Sequence, residues 1–326
     1  MASRLGVGGG HMMRSMSLAS AMIQYVNIHF VLDQEDEFWL SRLENKGFTG
    51  EVSKDSNNFQ LKLQVKLNCI GVLVDSYDIS RDTLLNWKEQ CGKLAVIDDF
   101  NDAPDFSDFI ISSSVDKYVE NKNHAQIIMQ GPEYALLSPE YYNHKPKKSN
   151  YLTINTILIS FGFYDSKNCT ELVINALKET KFDGMVQIAI GSKAPYILKI
   201  KKILLNYLFD IEIYEDMDGL YELNSKADLI IGSGGVSLLE RMTLGKPSIT
   251  FIVANNQERQ VKWAASLGAT IQISLNKKNL KRCMVNTINT FLLNANIRNN
   301  MSKISAEAVD AKGALRVSKI LTSGIK

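Results

Sequence analysis

The chain of 326 residues is long enough for two domains of ordinary size, and its 37 basic and 35 acidic side chains are interspersed along the sequence. The formal net charge of +2, without a basic face, argues against a nucleic-acid partner. The cysteines are far apart and form no CxxC pair, which indicates reduced thiols in a cytoplasmic protein rather than a disulfide or zinc framework: Cys69, Cys91, Cys169 and Cys283.

The first half of the sequence alternates helix and strand patterns. Apolar residues at helical spacing predict a helix over residues 12–25, and a β-branched and aromatic run predicts a strand over residues 26–32. The apolar stretch at residues 21–32 is too short to span a bilayer, so no membrane insertion is expected. Further helices are expected at residues 36–45, 59–67 and 80–90, and strands at residues 69–74, 94–97, 109–111 and 127–129.

The second half alternates more regularly. Strands are expected at residues 156–160, 186–190, 211–214, 228–231, 248–253 and 270–273. Helices are expected between and after them, at residues 169–177, 196–205, 220–225, 236–244, 258–267 and 280–293. Repeated strand-helix units of this kind predict a parallel sheet covered by helices on both faces.

The polar, charged segment 141–150 predicts a linker, because it has little apolar surface to bury. The expected domains are therefore residues 1–145 and 151–326, with the last helix packing back on the N-terminal domain. Two doubly wound, Rossmann-like α/β domains would face each other across a cleft, where such folds bind ligands.

The glycine-rich stretch before the first helix carries a candidate catalytic residue, His11. Gly8, Gly9 and Gly10 would let a ligand approach the backbone, and the start of a helix favours an anion. A neutral imidazole at that junction can accept a proton near pH 7. Arg14 would share its helix face and could orient the imidazole or bind a phosphate, and a surface salt bridge is the equal alternative. A flexible leader with an incidental histidine is the alternative.

A second glycine turn lies between a predicted strand and a predicted helix, at residues 232–235. This order of elements can hold a diphosphate through backbone N–H groups, and Glu240, farther along the helix, could accept hydrogen bonds from a ribose diol. A tight turn without a ligand is the alternative. The sequence lacks the GxGxxG fingerprint and a Walker lysine here, which disfavours hydride transfer and ATP hydrolysis.

Two polar groups at other strand ends are weaker candidates. The run Asn255-Asn256-Gln257-Glu258 could cap a helix or bind sugar hydroxyls, and capping is the more common role. Asp98 and Asp99 could form a base or a metal pair, but without a third ligand at useful spacing a solvated or capping role is favoured.

Six motifs in order resemble those of the UDP-2,4-diacetamido-2,4,6-trideoxy-β-L-altropyranose hydrolases of pseudaminic acid biosynthesis. They cover almost the whole chain: Gly-Gly-His-Met-Met-Arg at 9–14, Val-Asp-Ser-Tyr at 74–77, Ile-Asp-Asp at 97–99, Gly-Pro-Glu-Tyr-Ala-Leu-Leu at 131–137, Gly-Ser-Gly-Gly at 232–235 with Glu240, and Ala-Asn-Asn-Gln at 254–257.

The resemblance implies a GT-B fold and a hydrolase that needs no metal or other cofactor. It implies a catalytic role for His11 and UDP binding by Gly10, Gly234, Gly235 and Glu240. It also implies sugar binding by Tyr77, Asn256 and Gln257. The expected reaction is attack of water on the anomeric carbon of a UDP-linked diacetamido-trideoxy-hexose, with inversion, in a monomeric enzyme. A UDP-sugar glycosyltransferase and an inactive nucleotide-sugar binder are the alternatives.

The sequence also departs from that family in several motifs. The family begins with a strand ending in Arg-x-Asp, for which the sequence before Gly8 has no counterpart. Its Gly-Gly-Thr-Asp stands here as Gly162-Phe163-Tyr164-Asp165, its Leu-Leu-Asn-x-Asn has become residues 110–114 with Ser112, Ser113 and Ser114, and Ser138 replaces an arginine. These changes would line the cleft and alter the substrate.

Overall fold

A computed structural model of the chain describes residues 9–32, 37–53, 69–115, 126–144, 151–205 and 210–323. Gly8 and the predicted helix at 59–67 lie outside the described residues. The chain forms two compact units, one made of Met1–Pro139 with Lys312–Lys326 and the other of Glu140–Ala311. The domains expected from the sequence, residues 1–145 and 151–326, have other limits than these two units and remain a prediction.

The first unit begins with helix α1, which follows the glycine-rich stretch directly. Its elements, in chain order, are α1 (Gly10–Met22), β1 (His29–Leu32), α2 (Glu37–Asn45), β2 (Thr49–Val52), β3 (Val72–Val74), α3 (Arg81–Cys91), β4 (Leu94–Ile97), β5 (Phe109–Ser112) and β6 (Ile127–Gln130). A 3-10 turn at Pro132–Tyr134 follows β6.

The second unit repeats strand and helix with little interruption. Its elements are α4 (Pro139–Tyr142), whose first residue belongs to the first unit, β7 (Thr156–Ser160), α5 (Cys169–Leu177), β8 (Met185–Ile190), α6 (Ile197–Leu204), β9 (Ile211–Glu215), α7 (Tyr221–Lys226), β10 (Leu229–Ser233), α8 (Val236–Thr243), β11 (Ser248–Phe251), α9 (Glu258–Leu267), β12 (Ile271–Ile273), α10 (Leu280–Leu293) and α11 (Ala295–Ala308). Helix α12 (Gly313–Leu321) follows and belongs to the first unit.

All strand pairs described are parallel. In the first unit β1 pairs with β2, and β3, β4, β5 and β6 form a four-stranded sheet in that order. In the second unit the order is β12-β11-β10-β7-β8-β9. The strand order therefore reverses between β7 and β10, and ligands of doubly wound sheets bind at the carboxyl ends of strands at such a point.

The core of each unit explains its layered architecture. The central strands β10 and β11 are buried along their whole length, as expected for a parallel sheet covered on both faces. In the first unit Leu18 of α1 packs with Ile97 and Ile111 of the sheet and with Ala314 and Val317 of α12. The Ser318 hydroxyl also donates a hydrogen bond to the backbone carbonyl of Ala21 at 2.8 Å.

The predicted α/β fold with parallel sheets is confirmed, and most element limits agree within about two residues. The sequence patterns did not predict β2, α4, α11 or α12. The linker prediction is wrong at its first residue, since the Tyr141 side chain is only 2% exposed and packs within the second unit. No helix among the described residues is long and apolar enough to cross a membrane.

Candidate active site

The first-unit site is built on the first turns of α1. Arg14 and Ser15 come three and four residues after His11, so their side chains lie on the same face of the helix as the imidazole. All three are buried. The apolar residues Met12 and Met16 pack in the core and fix the helix, which in turn fixes the direction of the polar face.

Asp75 directly follows β3, and the side chains of His11, Arg14 and Ser15 all contact its carboxylate. Its side chain is fully buried, and His11 Nδ1 lies 2.5 Å from Asp75 Oδ1. The Ser15 hydroxyl donates to Asp75 Oδ2 at 3.1 Å. Carboxylates accept hydrogen bonds, so the contact places the imidazole proton on Nδ1. Nε2 is then the ring atom that can accept a proton.

Arg14 joins Asp75 to a second carboxylate, Asp99. Arg14 Nε donates to Asp75 Oδ2 at 2.8 Å and Nη2 donates to Oδ1 at 2.5 Å, the bidentate geometry of a strong charge-assisted pair. Nη1 donates to both oxygens of Asp99 at 2.9 Å. One guanidinium therefore compensates two carboxylates at the ends of the neighbouring strands β3 and β4.

The electrostatics of this cluster keep Asp75 ionised. Burial by itself would raise the pKa of Asp75, but the Arg14 charge and the hydrogen bonds from Arg14 and His11 outweigh it. The pKa of Asp75 consequently lies well below its usual range. Burial likewise opposes the charge of Arg14, yet Asp75 and Asp99 raise the pKa of its guanidinium well above the ordinary value.

Tyr77 lies beside the imidazole. Its ring meets the His11 ring edge-on, with centroids 4.8 Å apart, and its hydroxyl donates to Asp99. The Phe100 ring contacts the Tyr77 ring edge-on, with centroids 5.1 Å apart. Tyr77 is 39% exposed, so part of its surface is open to a ligand next to His11. The structure thus brings together two of the predicted site residues.

Asp98 and Asp99 have separate roles. Asp98 accepts hydrogen bonds from the backbone N–H groups of Phe100, Asn101 and Ala103 at 2.8–3.0 Å, which confirms the capping role. Asp99 is not merely solvated, since it pairs with Arg14 and Tyr77. Among the described residues no group of three or more His, Cys, Asp or Glu side chains could hold a metal ion.

The glycine turn of the second unit lies at the carboxyl end of β10, beside the point where the strand order reverses. Gly235 has φ +76°, a conformation that glycine adopts without strain, and it begins α8. A methyl group at Gly234 would come within 2.5 Å of Val261 and 3.0 Å of Gln257. Both glycines are therefore required by the turn itself, whether or not a ligand binds there.

Gly10 differs from these glycines. It is exposed, and a methyl group built on it would meet no protein atom within 4 Å. Its backbone φ is not positive. Neither packing nor conformation of the described residues requires a glycine at this position.

Gln257 lies over the glycine turn. Its Oε1 accepts a hydrogen bond from the Val253 N–H at 3.1 Å, which holds the 3-10 turn Asn255–Gln257 against the end of β11. A methyl group at Gly235 would lie 3.9 Å from Gln257 Nε2. Asn256 is half-buried in the same turn. The structure therefore groups Gln257 with Gly234 and Gly235.

Glu240 lies on α8 and is buried. The Tyr141 side chain lies next to its carboxyl group, and Asn224 Nδ2 donates to the Tyr141 oxygen at 2.8 Å. Burial raises the pKa of Glu240 to about 7, against the lowering effects of the Arg241 charge and Tyr141. Between pH 6 and pH 8 this carboxyl therefore changes between its neutral and charged forms.

Arg241 supports the same turn from inside. It is 1% exposed, and its Nη2 donates to the Ser233 carbonyl at 2.8 Å and to the Thr250 hydroxyl at 3.1 Å. Burial lowers the pKa of Arg241 to about 10, so it remains charged at neutral pH. A buried positive charge next to the turn adds to the field that favours an anion at the start of α8.

The loop that departs from the resembled family, residues 162–165, has a structural role. Asp165 accepts from the backbone N–H groups of Cys169 and Thr170, both at 2.8 Å, and so caps the start of α5. In the first unit Ser112 is buried, and its hydroxyl accepts from the Ser114 N–H at 3.2 Å.

Sequence reasoning missed Asp75 and Tyr141. Asp75 stands directly after an apolar strand, as Asp98 does, and the carboxyl ends of neighbouring parallel strands lie at one edge of a sheet. That placement was the signal for Asp75. No comparable signal marked Tyr141, which lies in a polar segment and is buried only because its contacts with Asn224 and Glu240 come from distant parts of the chain.

No protein-family model matches the chain. It is 28% identical to the uncharacterized protein MJ1062 of Methanocaldococcus jannaschii over 78% of this chain and 54% of that protein, so the match spans about half of that relative's length. It is 24% identical to the spore coat polysaccharide biosynthesis protein SpsG of Bacillus subtilis, over 96% of this chain and 94% of the relative.

Two solved structures extend the comparison to the fold. MurG of Acinetobacter baumannii superimposes with a TM-score of 0.68 at 13% identity, covering 99% of this chain and 98% of that one. HepE of Anabaena in complex with UDP-glucose gives a TM-score of 0.60 at 13% identity, with the same coverage. The chain therefore has the GT-B fold of these proteins, with two Rossmann-like units and parallel sheets.

Proposed function

We propose that this protein processes a UDP-sugar and that its reaction is hydrolysis at the anomeric carbon, with His11 as the general base. The observation that carries the proposal is the buried contact between His11 Nδ1 and Asp75 at 2.5 Å. A carboxylate that fixes one ring nitrogen as the donor leaves the other as the acceptor, the arrangement that general-base histidines use.

The second unit supplies the proposed UDP site. Its glycine turn at Gly234 and Gly235 opens α8 at the point where strand order reverses, and Arg241 lies buried beside it. Backbone N–H groups at a helix start bind phosphate well. We assign the ribose to Glu240 and the phosphates to the two glycines and Gly10. The HepE structure, which contains UDP-glucose, supports the choice of nucleotide.

The resemblance of the motifs leads us to propose a UDP-linked diacetamido-trideoxy-hexose as the substrate. Tyr77, Asn256 and Gln257 would then lie near the sugar. The likeness to SpsG, a polysaccharide biosynthesis protein, supports a role in making a surface sugar. The open side of the Tyr77 ring, next to His11, offers an apolar face to a deoxy-sugar.

The proposed reaction needs no reactant other than the UDP-sugar and water. His11 Nε2 takes a proton from water while the water oxygen bonds to the anomeric carbon. The bond from that carbon to the diphosphate oxygen breaks, and its electron pair leaves with UDP. The start of α8 and Arg241 stabilise the negative charge that gathers there. Attack opposite the leaving group inverts the anomeric configuration.

A glycosyltransferase reaction is the second candidate. In it an acceptor hydroxyl replaces water, and the same base and UDP site would serve. A relative in Sulfurihydrogenibium favours this reading: it is named as an N-acetylglucosamine transferase and is 25% identical over 56% of this chain and 50% of that protein.

The deciding experiment is incubation of the protein with single UDP-sugars in ¹⁸O water, without an acceptor. Hydrolysis as proposed releases UDP and places ¹⁸O on the sugar rather than on UDP. Release of UDP only after an acceptor is added would instead establish a transferase. Label on the UDP would mean that a phosphate bond breaks, which contradicts attack at carbon.

His11→Ala tests the base in the same assay. We expect the turnover number to fall by about 10²- to 10⁴-fold, the usual contribution of a general base. The matched control is His29→Ala, which removes a histidine of the same unit that contacts Thr49 and Glu51. A His11→Ala protein with parental turnover and an intact fold would refute the assignment.

A further inference from the structure

Two cysteines that are distant in the sequence meet at the edge of the first-unit sheet. Strand β3 pairs with β4 in a register that places Val72 opposite Leu94 and Leu73 opposite Ala95. The same number of positions separates Cys69, which precedes β3, from Cys91, the last residue of α3. The Val72 N–H donates to the Lys93 carbonyl at 2.9 Å, so the chains are still paired just before the two strands begin.

The side chains of the two cysteines lie in one apolar cluster. Cys69 packs against the apolar cluster that contains Cys91, together with Leu84, Trp87 and Leu94. The Cys69 thiol donates to the Gly71 carbonyl at 3.3 Å, and it lies near enough to Cys91 to raise the pKa of that thiol. Cys91 is 5% exposed, whereas Cys69 is half-buried and can be reached from solvent. The distance between Cys69 and Cys91 in the sequence therefore does not keep their side chains apart in the fold.

Beside the cysteines, the pairing of Val72 with Lys93 holds the two chain segments at about the 4.8 Å spacing of neighbouring strands. Disulfides join residues whose Cα atoms are roughly 4.4 to 6.8 Å apart. We propose that Cys69 and Cys91 form a reversible disulfide that fastens strand β3 to the end of α3.

The two thiols have different parts in the reaction. Burial, and then the neighbouring Cys69 thiol, raises the pKa of Cys91 to about 12, so Cys91 is not the thiol that meets an oxidant first. The accessible Cys69 thiolate attacks a peroxide, which gives a sulfenic acid and hydroxide. The Cys91 sulfur then bonds to the Cys69 sulfur, and the sulfenic oxygen leaves as water with the Cys91 proton. Two thiols are oxidised and one peroxide is reduced to water.

The disulfide would act on the strand that leads into the site. Strand β3 has three residues, lies at the edge of its sheet and ends immediately before Asp75. Edge strands are paired on one side only and open more readily than central ones. A covalent link three residues before β3 prevents it from leaving β4. The link therefore protects the position of Asp75, whichever reaction the site performs.

The test treats the full-length reduced protein with hydrogen peroxide and then with dithiothreitol. We expect the number of thiols that react in denaturant to fall from four to two and to return on reduction. Mass spectrometry of a digest made without reductant should identify one linked pair, Cys69 with Cys91. The melting temperature should rise by about 5 °C on oxidation, because the link closes a loop of about twenty residues.

Two variants separate this disulfide from other oxidation. Cys69→Ser should abolish the peroxide-induced rise in melting temperature, whereas Cys283→Ser, which removes a cysteine outside the pair, should keep it. Cys91→Ser provides a second test if Cys69→Ser folds poorly. Oxidation of Cys69 to a sulfinic acid without a linked peptide would overturn the proposal. Links between two chains in place of the internal pair would overturn it as well.

Discussion

At the scale of single residues, the first-unit site is a balance of one arginine against two aspartates. Buried charges are costly unless each is compensated, and Arg14 compensates Asp75 and Asp99 with four hydrogen bonds of 2.5–2.9 Å. Arg14 holds Asp75 in its ionised form, and the Asp75 carboxylate in turn orients the imidazole of His11.

Asp75→Asn should lower the turnover number by roughly 10²- to 10⁴-fold, because the amide no longer fixes the Nδ1 proton and Nε2 loses its role as base. It should also lower the free energy of unfolding by about 3 kcal/mol, since one carboxylate of a buried pair is lost. Steady-state kinetics and urea unfolding measure the two effects. Asp105→Asn, which breaks an exposed pair with Arg81, is the control and should change neither. Parental turnover in Asp75→Asn would contradict the orienting role.

Glu240 should make the stability of the protein depend on pH. Its pKa is about 7 when folded, above the ordinary 4.5, so the folded chain retains a proton that the unfolded chain has lost. Stability therefore decreases as the pH rises from about 4.5 to about 7. Glu240→Gln stays neutral, so its stability relative to the parent should rise by about 2–3 kcal/mol between pH 5 and pH 8.

Denaturant unfolding at the two pH values measures this difference. The exposed Glu222→Gln is the matched control and should show the same stability relative to the parent at both pH values. A pH-independent effect of Glu240→Gln would mean that Glu240 is ionised throughout this range. The same variant should bind UDP more weakly at pH 8, because a carboxylate accepts from ribose hydroxyls better than an amide does.

At the scale of elements, both proposed ligand-binding segments are glycines followed by a helix. They differ in why the glycine is there. Gly235 has a positive φ and Gly234 has no room for a side chain, so the strand-helix turn accounts for both. Gly10 has room and an ordinary φ, so only an approaching ligand would exclude a side chain from it.

Gly10→Ala should therefore separate stability from activity. Alanine at a compatible position stabilises a protein by about 0.4–1 kcal/mol through the unfolded state. The KM for the UDP-sugar should nevertheless rise by roughly tenfold, the effect of losing about 1.4 kcal/mol of binding. Gly219→Ala, at another open glycine with an ordinary φ, should stabilise without changing KM. An unchanged KM in Gly10→Ala would remove Gly10 from the ligand site.

At the scale of the whole molecule, the chain leaves the first unit, forms the second and returns. Helix α12 closes the first unit by packing Ala314 and Val317, both fully buried, against α1 and the sheet. Gly313 permits this contact. A methyl group on it would lie 2.2 Å from the Ala135 carbonyl oxygen, closer than any atoms can approach. The C-terminal helix is therefore part of the support of His11.

Gly313→Ala should displace α12 and lower the free energy of unfolding of the first unit by at least about 1–3 kcal/mol. Turnover should fall with it, while UDP affinity, measured by calorimetry, should fall less, because Gly234, Gly235 and Glu240 belong to the second unit. Lys319→Ala, an exposed change on the same helix, is the control. Equal loss of turnover and of UDP affinity would show that α12 supports more than the first unit.

The sequence by itself determined most elements of this protein and several of its site residues. Residues 156–160, 169–177, 258–267 and 280–293 were predicted with the limits that the structure has. Their periodicity reflects hydrogen bonding within one element and burial of one or both faces, both of which are local. His11 and the glycine turn could be identified for the same reason, since each adjoins the start of a helix.

Only the tertiary structure decided which side chains act together. His11 and Asp75 are separated by 64 positions, and Arg14 and Asp99 by 85. Cys69 packs against the cluster that contains Cys91, and Tyr141 accepts a hydrogen bond from Asn224, although the members of each pair are far apart in the sequence. These contacts depend on which strands become neighbours, and apolar patterns specify that a strand is buried without specifying its partner. The sequence thus placed His11 at the start of a helix. The carboxylate that orients it, Asp75, comes from the end of strand β3, which only the fold brings beside α1.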